Sequence, residues 1–200
     1  MLDKEILNNF TKEASKAWQQ FCVWKYSSNN FIECQKEFNK SIKDGFCFSE
    51  EETIDNSCKY KNFWDVIIYS LQGSWILSIA RLIDPPYFLG DKDKPRLSIY
   101  YILELLDDDF KQKLKDELNN FAEFIESIKK CRDNFLAHNS IDYSDNNIKA
   151  GVEDFFSTLN CFIKRIKDKY PHLKECNDIN LIFTEGLSKA GVKEVFEKIK

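Results

Sequence analysis

Arg132-Asp133-Asn134-Phe135-Leu136-Ala137-His138 is the stretch of this chain best equipped for chemistry. Arg132 stands four residues after Ile128 and three before Phe135. It therefore falls inside a stripe that Phe121, Phe124, Ile125, Ile128 and Phe135 mark at helical spacing. A guanidinium there cannot stay dry and unpaired, because burying a lone charge is very costly. It must pair with a carboxylate, face a wet cleft or wait for an anion. The chain has two histidines, and one of them, His138, lies six residues downstream. Histidine titrates near neutrality and suits proton transfer. Arginine offers phosphate a planar fork of donors. Together they suit phosphodiester chemistry in RNA. Arg132 would neutralise charge growing on the phosphorane oxygens. His138 would take the proton from the 2′-OH or give one to the leaving 5′-oxygen. No metal and no cofactor is needed for that chemistry.

In a straight helix, residues six apart are rotated by about 120° and separated by a rise of about 9 Å. Arg132 and His138 then do not share a face. They serve one site if the helix loosens at His138, or if a second copy of the helix supplies the other half. The spacing alone also allows a structural reading. Arg132 would form an ionic lock with Asp84, Glu126 or Asp133 of a neighbour, and His138 would cap a helix end.

The elements that must position these residues read as helices. Pro and Gly are sparse and helix formers abound, which predicts an all-α chain. Leu2, Ile6, Phe10, Ala14, Ala17, Trp18 and Phe21 keep helical spacing until Ser27-Ser28-Asn29-Asn30 interrupts the helix or ends it. A second pattern with Phe31, Cys34, Phe38 and Ile42 runs to Asp44-Gly45, and Ser49 with Glu52 has capping-box spacing. Tyr60 to Asp84 is the most apolar helix and reads as the central one of a bundle, stopped by Pro85-Pro86. Asp65, Gln72 and Arg81 argue against a membrane span there. Arg81 and Asp84, three apart, can pair on one surface. Residues 87 to 97 read as a charged loop, and Ser98 as the N-cap of a short helix through Leu106.

Asp107-Asp108-Asp109 reads as a cap and dipole partner for the next helix rather than a metal site. That helix is expected to run from Phe110 to Ala137, ending in the polar loop that opens at Asn139. Another follows, with apolar positions from Val152 to Ile166, and runs up to Tyr170-Pro171; a small last helix is expected over residues 180–200. The expected organisation is one domain over 1–200, with a core at about 60–170 and N-terminal helices at 1–45.

A net charge of −4 argues against a protein that coats nucleic acid non-specifically, without excluding a local basic site. Lys164, Arg165, Lys167 and Lys169 read as a solvated helix face near a C-terminus. Seven cysteines without a Cys-x-x-Cys pair, and a polar start without an apolar segment, predict reduced thiols in a cytoplasmic protein.

The seven residues from Arg132 to His138 resemble the R-x(4–6)-H signature of the HEPN superfamily, helical proteins of toxin–antitoxin and phage-defence systems. They look most like the AbiU-like abortive-infection branch, where the stretch typically reads Arg-Asp-Lys, two apolar residues, then Ala-His. Here Asn134 stands in place of that Lys and removes one positive charge. Ala80-Arg81-Leu82-Ile83-Asp84-Pro85 also resembles that branch, and the helix start at Leu97-Ser98 fits the same layout. The resemblance spans about residues 60 to 145. It implies a HEPN-type helical bundle with extra N- and C-terminal helices, pairing with its twin so that Arg and His of two protomers face one cleft. Arg132 would then bind and stabilise the phosphate, His138 would transfer protons, and Asp133 would orient either one. Arg81, Asp84, Asn134 and Asn139 would be supporting residues. The implied partners are an RNA substrate, a second copy and a cognate antitoxin, with no membrane. Some HEPN proteins are catalytically silent, so the resemblance equally admits a module that binds RNA, a nucleotide or a protein.

Overall fold

A computed structural model describes the backbone of residues 1–43, 50–138 and 146–199, and the side chains of 1–32, 64–134 and 151–197. Within these limits the chain is all-α, with one small ribbon. In chain order come α1 (Lys4–Lys43), α2 (Glu50–Leu82), β1 (Tyr87–Phe88), β2 (Asp91–Pro95), α3 (Ile99–Glu104), α4 (Asp108–Asn119), α5 (Ala122–His138), α6 (Asn146–Lys169) and α7 (Leu181–Ile199). A 3-10 turn at Pro171–Leu173 follows α6. No helix among the described residues is long and apolar enough to cross a membrane.

The contacts divide the chain into two units. The first comprises Met1–Trp18 and Ile76–Leu181. Its core is apolar and aromatic: Leu7, Phe10, Ile79, Ile83, Ile102 and Phe156 are fully buried. Phe155 sits among Phe121, Phe124 and Phe156 at centroid distances of 5.4–5.9 Å, within the range in which aromatic pairs attract. The segment after α6 is tied to the start of α1: the Asn177 amide donates to Asn8 Oδ1 at 3.0 Å, and His172 Nε2 lies 3.1 Å from the Leu2 carbonyl. The chain's second histidine is thus spent on a backbone contact.

The second unit comprises Gln19–Trp75 and Ile182–Lys200. Phe21, Trp24 and Trp75 form a triangle with centroids 5.3–5.9 Å apart. Trp64 stacks on Phe196 at 4.4 Å. Tyr26 Oη donates to Glu185 at 2.6 Å.

Four local expectations need correction. Ser27-Ser28-Asn29-Asn30 neither breaks nor ends α1. Such residues usually offer the backbone alternative partners. Here Ser27 and Ser28 are buried, and the Asn30 amide donates to the Tyr26 carbonyl at 2.7 Å, one turn back in the same helix. The helix expected from Phe110 to Ala137 is two helices, α4 and α5. Asn119-Asn120, weak helix formers, mark the break, and the Phe121 amide bonds the Leu118 carbonyl at 2.9 Å in a tightened last turn. The charged loop at 87–97 contains the β1–β2 ribbon, which reverses through Leu89 and Gly90 at φ 51° and 79°. Two central residues with positive φ suit the twist of a tight hairpin, and Gly90 takes that conformation without strain.

The fourth correction concerns the basic face of α6. Arg165 Nη1 donates to both Glu117 oxygens at 2.6 and 2.8 Å, Lys167 pairs with Asp178, and Lys169 pairs with Asp107, both at 3.0 Å. These cations staple α6 to its neighbours rather than merely facing solvent. Asp107 is the N-cap residue of α4, but its carboxylate makes no capping hydrogen bond and turns to Lys169 instead. Residues 44–49, with Gly45 and Ser49, lie outside the described residues.

Candidate functional site

α2 stops at Leu82 because Pro85-Pro86 cannot continue a helix, and Asp84 is left in the turn beyond its end. The β1–β2 ribbon then returns the chain to this point. The Arg96 amide donates to the Pro86 carbonyl at 2.8 Å, and the Ser98 amide to the Arg96 carbonyl at 2.8 Å. Ser98 is buried and caps α3, its hydroxyl accepting from the Tyr101 amide at 3.3 Å. This junction fixes Arg96 beside Asp84. α5 brings Arg132 to the same carboxylate from 48 residues further along the chain.

Asp84 is the hub. Its Oδ1 accepts from Arg132 Nη1 at 2.9 Å, and its Oδ2 from Arg96 Nη1 at 3.0 Å. Its side chain keeps 16% of its exposure, against 27% for Arg132 and 32% for Arg96. Arg132 is clasped a second time, because its Nε donates to Asp133 Oδ1 at 2.9 Å. The Asp133 hydrogen bond, opposed by partial burial and reinforced by the charges of Asp133 and Asp84, pushes the Arg132 pKa up and keeps the guanidinium charged. Arginine carries five N–H donors. Among the described residues, Asp84 and Asp133 occupy two of those on Arg132, which leaves three for an anion.

Arg81 departs from expectation. It is exposed and makes no ion pair with Asp84. Asp84 lies two residues beyond the last residue of α2, and its carboxylate is already taken from both sides by Arg96 and Arg132. Arg81 instead lines a cleft of about 310 Å³ together with Ser78, Asp84, Arg96 and Glu13. Asp133 and Asn134 are exposed on α5. His138 is the last residue of α5, with its side chain outside the described residues, and Asn139 lies outside them entirely.

The structure therefore brings Arg132, Asp133 and Asp84 together and adds Arg96, which sequence reasoning missed. A signal for it exists. The chain has 29 basic residues but only four arginines. Three of those four, Arg81, Arg96 and Arg132, pair with Asp84 or line its cleft. Sparing use of arginine in a lysine-rich chain marks places that need planar, multi-donor recognition.

A model of the HEPN AbiU2 family, described as AbiU2, matches residues 4–176. No curated protein and no solved structure matches the chain.

Proposed function

We propose, from the premise that the chain belongs to the AbiU2 family of HEPN proteins, that it is a metal-independent endoribonuclease. The HEPN module of the abortive-infection type, all-α and covering residues 4–176, is the frame for this reading. The activity is that of a toxin or phage-defence effector on cellular or phage RNA in the cytoplasm. A second copy completes the cleft, and a cognate antitoxin restrains it.

One observation carries the reading. Arg132 is held partly exposed and charged by Asp84 and Asp133, with three donors uncommitted among the described residues, on the helix that ends at His138. A guanidinium fixed in this way suits the growing charge of a phosphorane without rearranging during reaction. His138 removes the 2′-OH proton, and the oxygen attacks the adjacent phosphorus. The bond to the 5′-oxygen breaks, and that oxygen is protonated by the second imidazole of the paired cleft. Asp133 positions Arg132, and Asp84 sets where it stands. Products of this route carry 2′,3′-cyclic phosphate and 5′-hydroxyl ends. Mapping the ends made from total RNA tests it: 3′-hydroxyl and 5′-phosphate ends contradict it.

The double carboxylate clasp of Arg132 also favours a second reading, a silent module that binds RNA, a nucleotide or a protein partner. Structural ion pairs are built in the same way. In that case Arg132→Ala weakens binding while His138→Ala changes little.

A further inference from the structure

The cleft beside Asp84 contains charge that the reading above leaves unused. Arg81 lines it, and its side chain makes no hydrogen bond or ion pair among the described residues. Arg96 lines it too, and Asp84 takes one of its five N–H groups. The Arg96 guanidinium carbon also lies 4.8 Å from the Phe88 ring centroid, which steadies its plane. Glu13 is the second acid on the wall, and Lys16 neutralises it at 2.6 Å. The cations around Asp84 therefore exceed the acids, although the whole chain carries a net charge of −4. A lone exposed arginine is usually just solvated. Here two arginines share the walls of one concave space, and one of them is pinned and stacked. At about 310 Å³ the cleft is at the lower end of the range for ligand pockets.

We infer that this cleft is a phosphate subsite, in which Arg81 and Arg96 hold an RNA phosphate next to the one bound by Arg132. The inference rests on reading the Arg132 site as an RNA site. Arg96 and Arg132 bond the two oxygens of one carboxylate, so the two guanidinium groups flank Asp84 side by side. Ser78 adds a hydroxyl to the wall. Among the described residues lining the cleft, Arg81 supplies the one strong charge not already committed to a carboxylate. RNA passing over Asp84 is thereby held at two consecutive phosphates, which sets the register of the scissile bond without reading a base.

The test uses the full chain and a short 2′-O-methyl RNA oligonucleotide, which lacks the attacking hydroxyl, so binding is scored apart from cleavage. Arg81→Gln is expected to weaken binding about five- to ten-fold. It is also expected to make the slope of log affinity against log salt shallower by about 0.7, the signature of one lost phosphate contact on a single strand. Arg81→Lys keeps the charge and restores most of that slope. Unchanged affinity and slope in Arg81→Gln overturns the subsite, as does failure of the wild type to bind. Cleavage of natural RNA is measured in parallel. Arg81-dependent binding without cleavage sinks the ribonuclease and leaves the subsite standing. Cleavage with Arg81-independent binding does the reverse.

Discussion

Asp84 and Arg132 lie 48 residues apart in the chain, yet Oδ1 of one accepts a hydrogen bond from Nη1 of the other at 2.9 Å. That contact joins the end of α2 to the middle of α5. Because Asp84 also holds Arg96, one carboxylate fixes two arginines at once.

Replacing Asp84 by Ala leaves both guanidinium groups without this partner while they are still partly buried. The expected cost is about 2 kcal/mol, below that of a fully buried pair because all three groups keep some contact with water. Thermal unfolding should then shift down by about 4–8 °C for a chain of this size. Asp84→Asn retains acceptor capacity on one oxygen and should lose less. A melting temperature unchanged in Asp84→Ala contradicts the hub.

Arg132→Lys keeps the charge but cannot present two differently directed donors to Asp84 and Asp133. It should therefore abolish RNA cleavage as thoroughly as Arg132→Ala, while unfolding only a few degrees below wild type. RNA cleavage and a melting curve on the same preparation check this. Lysine supporting wild-type cleavage means that charge alone, rather than the fork, is what the site uses.

Gly151→Ala tests how α5 is seated. A Cβ at Gly151 of α6 would stand 2.7 Å from Phe124 Cδ2. The Phe124 ring is itself held against Phe121 and Phe155. Alanine gains up to about 1 kcal/mol of helix propensity, but overpacking costs about 1–3 kcal/mol. A net loss of about 1 kcal/mol is expected in denaturant titration. Stabilisation would mean that the ring yields freely.

The sequence made the helical frame and Arg132 legible, because both rest on periodic pattern and local chemistry. The break at Asn119-Asn120 was hidden by an apolar stripe that runs on through Phe121 and Phe124 as if nothing intervened. The continuity of α1 through Ser27-Ser28-Asn29-Asn30 was hidden for the opposite reason. Ser27 and Ser28, half of the stretch that reads as a breaker, are buried there, and Asn30 bonds its own helix. Arg96 escaped because its role depends on a ribbon whose alternating Asp and Lys look like a loop. Its contact with Asp84 arises only when the chain turns back on itself.

Asp107 supplies a pH test. Hydrogen bonds from Lys169 and then Tyr170 hold its carboxyl below the usual carboxylate range. A lowered folded-state pKa means stability that is complete above the unfolded value. It is lost as pH falls through the lowered folded value. Asp107→Asn should therefore narrow its stability gap to wild type when urea midpoints at about pH 3 are compared with those at about pH 5. A gap that widens in acid has the wrong sign for this contact.

The central claim is most directly tested by incubating purified wild type and His138→Ala with total RNA in EDTA, with solution mass measured on the same samples. The account predicts cleavage by a wild-type dimer and none by a folded, dimeric His138→Ala. Equal cleavage by both proteins, or an intact RNA profile with both, contradicts a ribonuclease centred on Arg132 and His138.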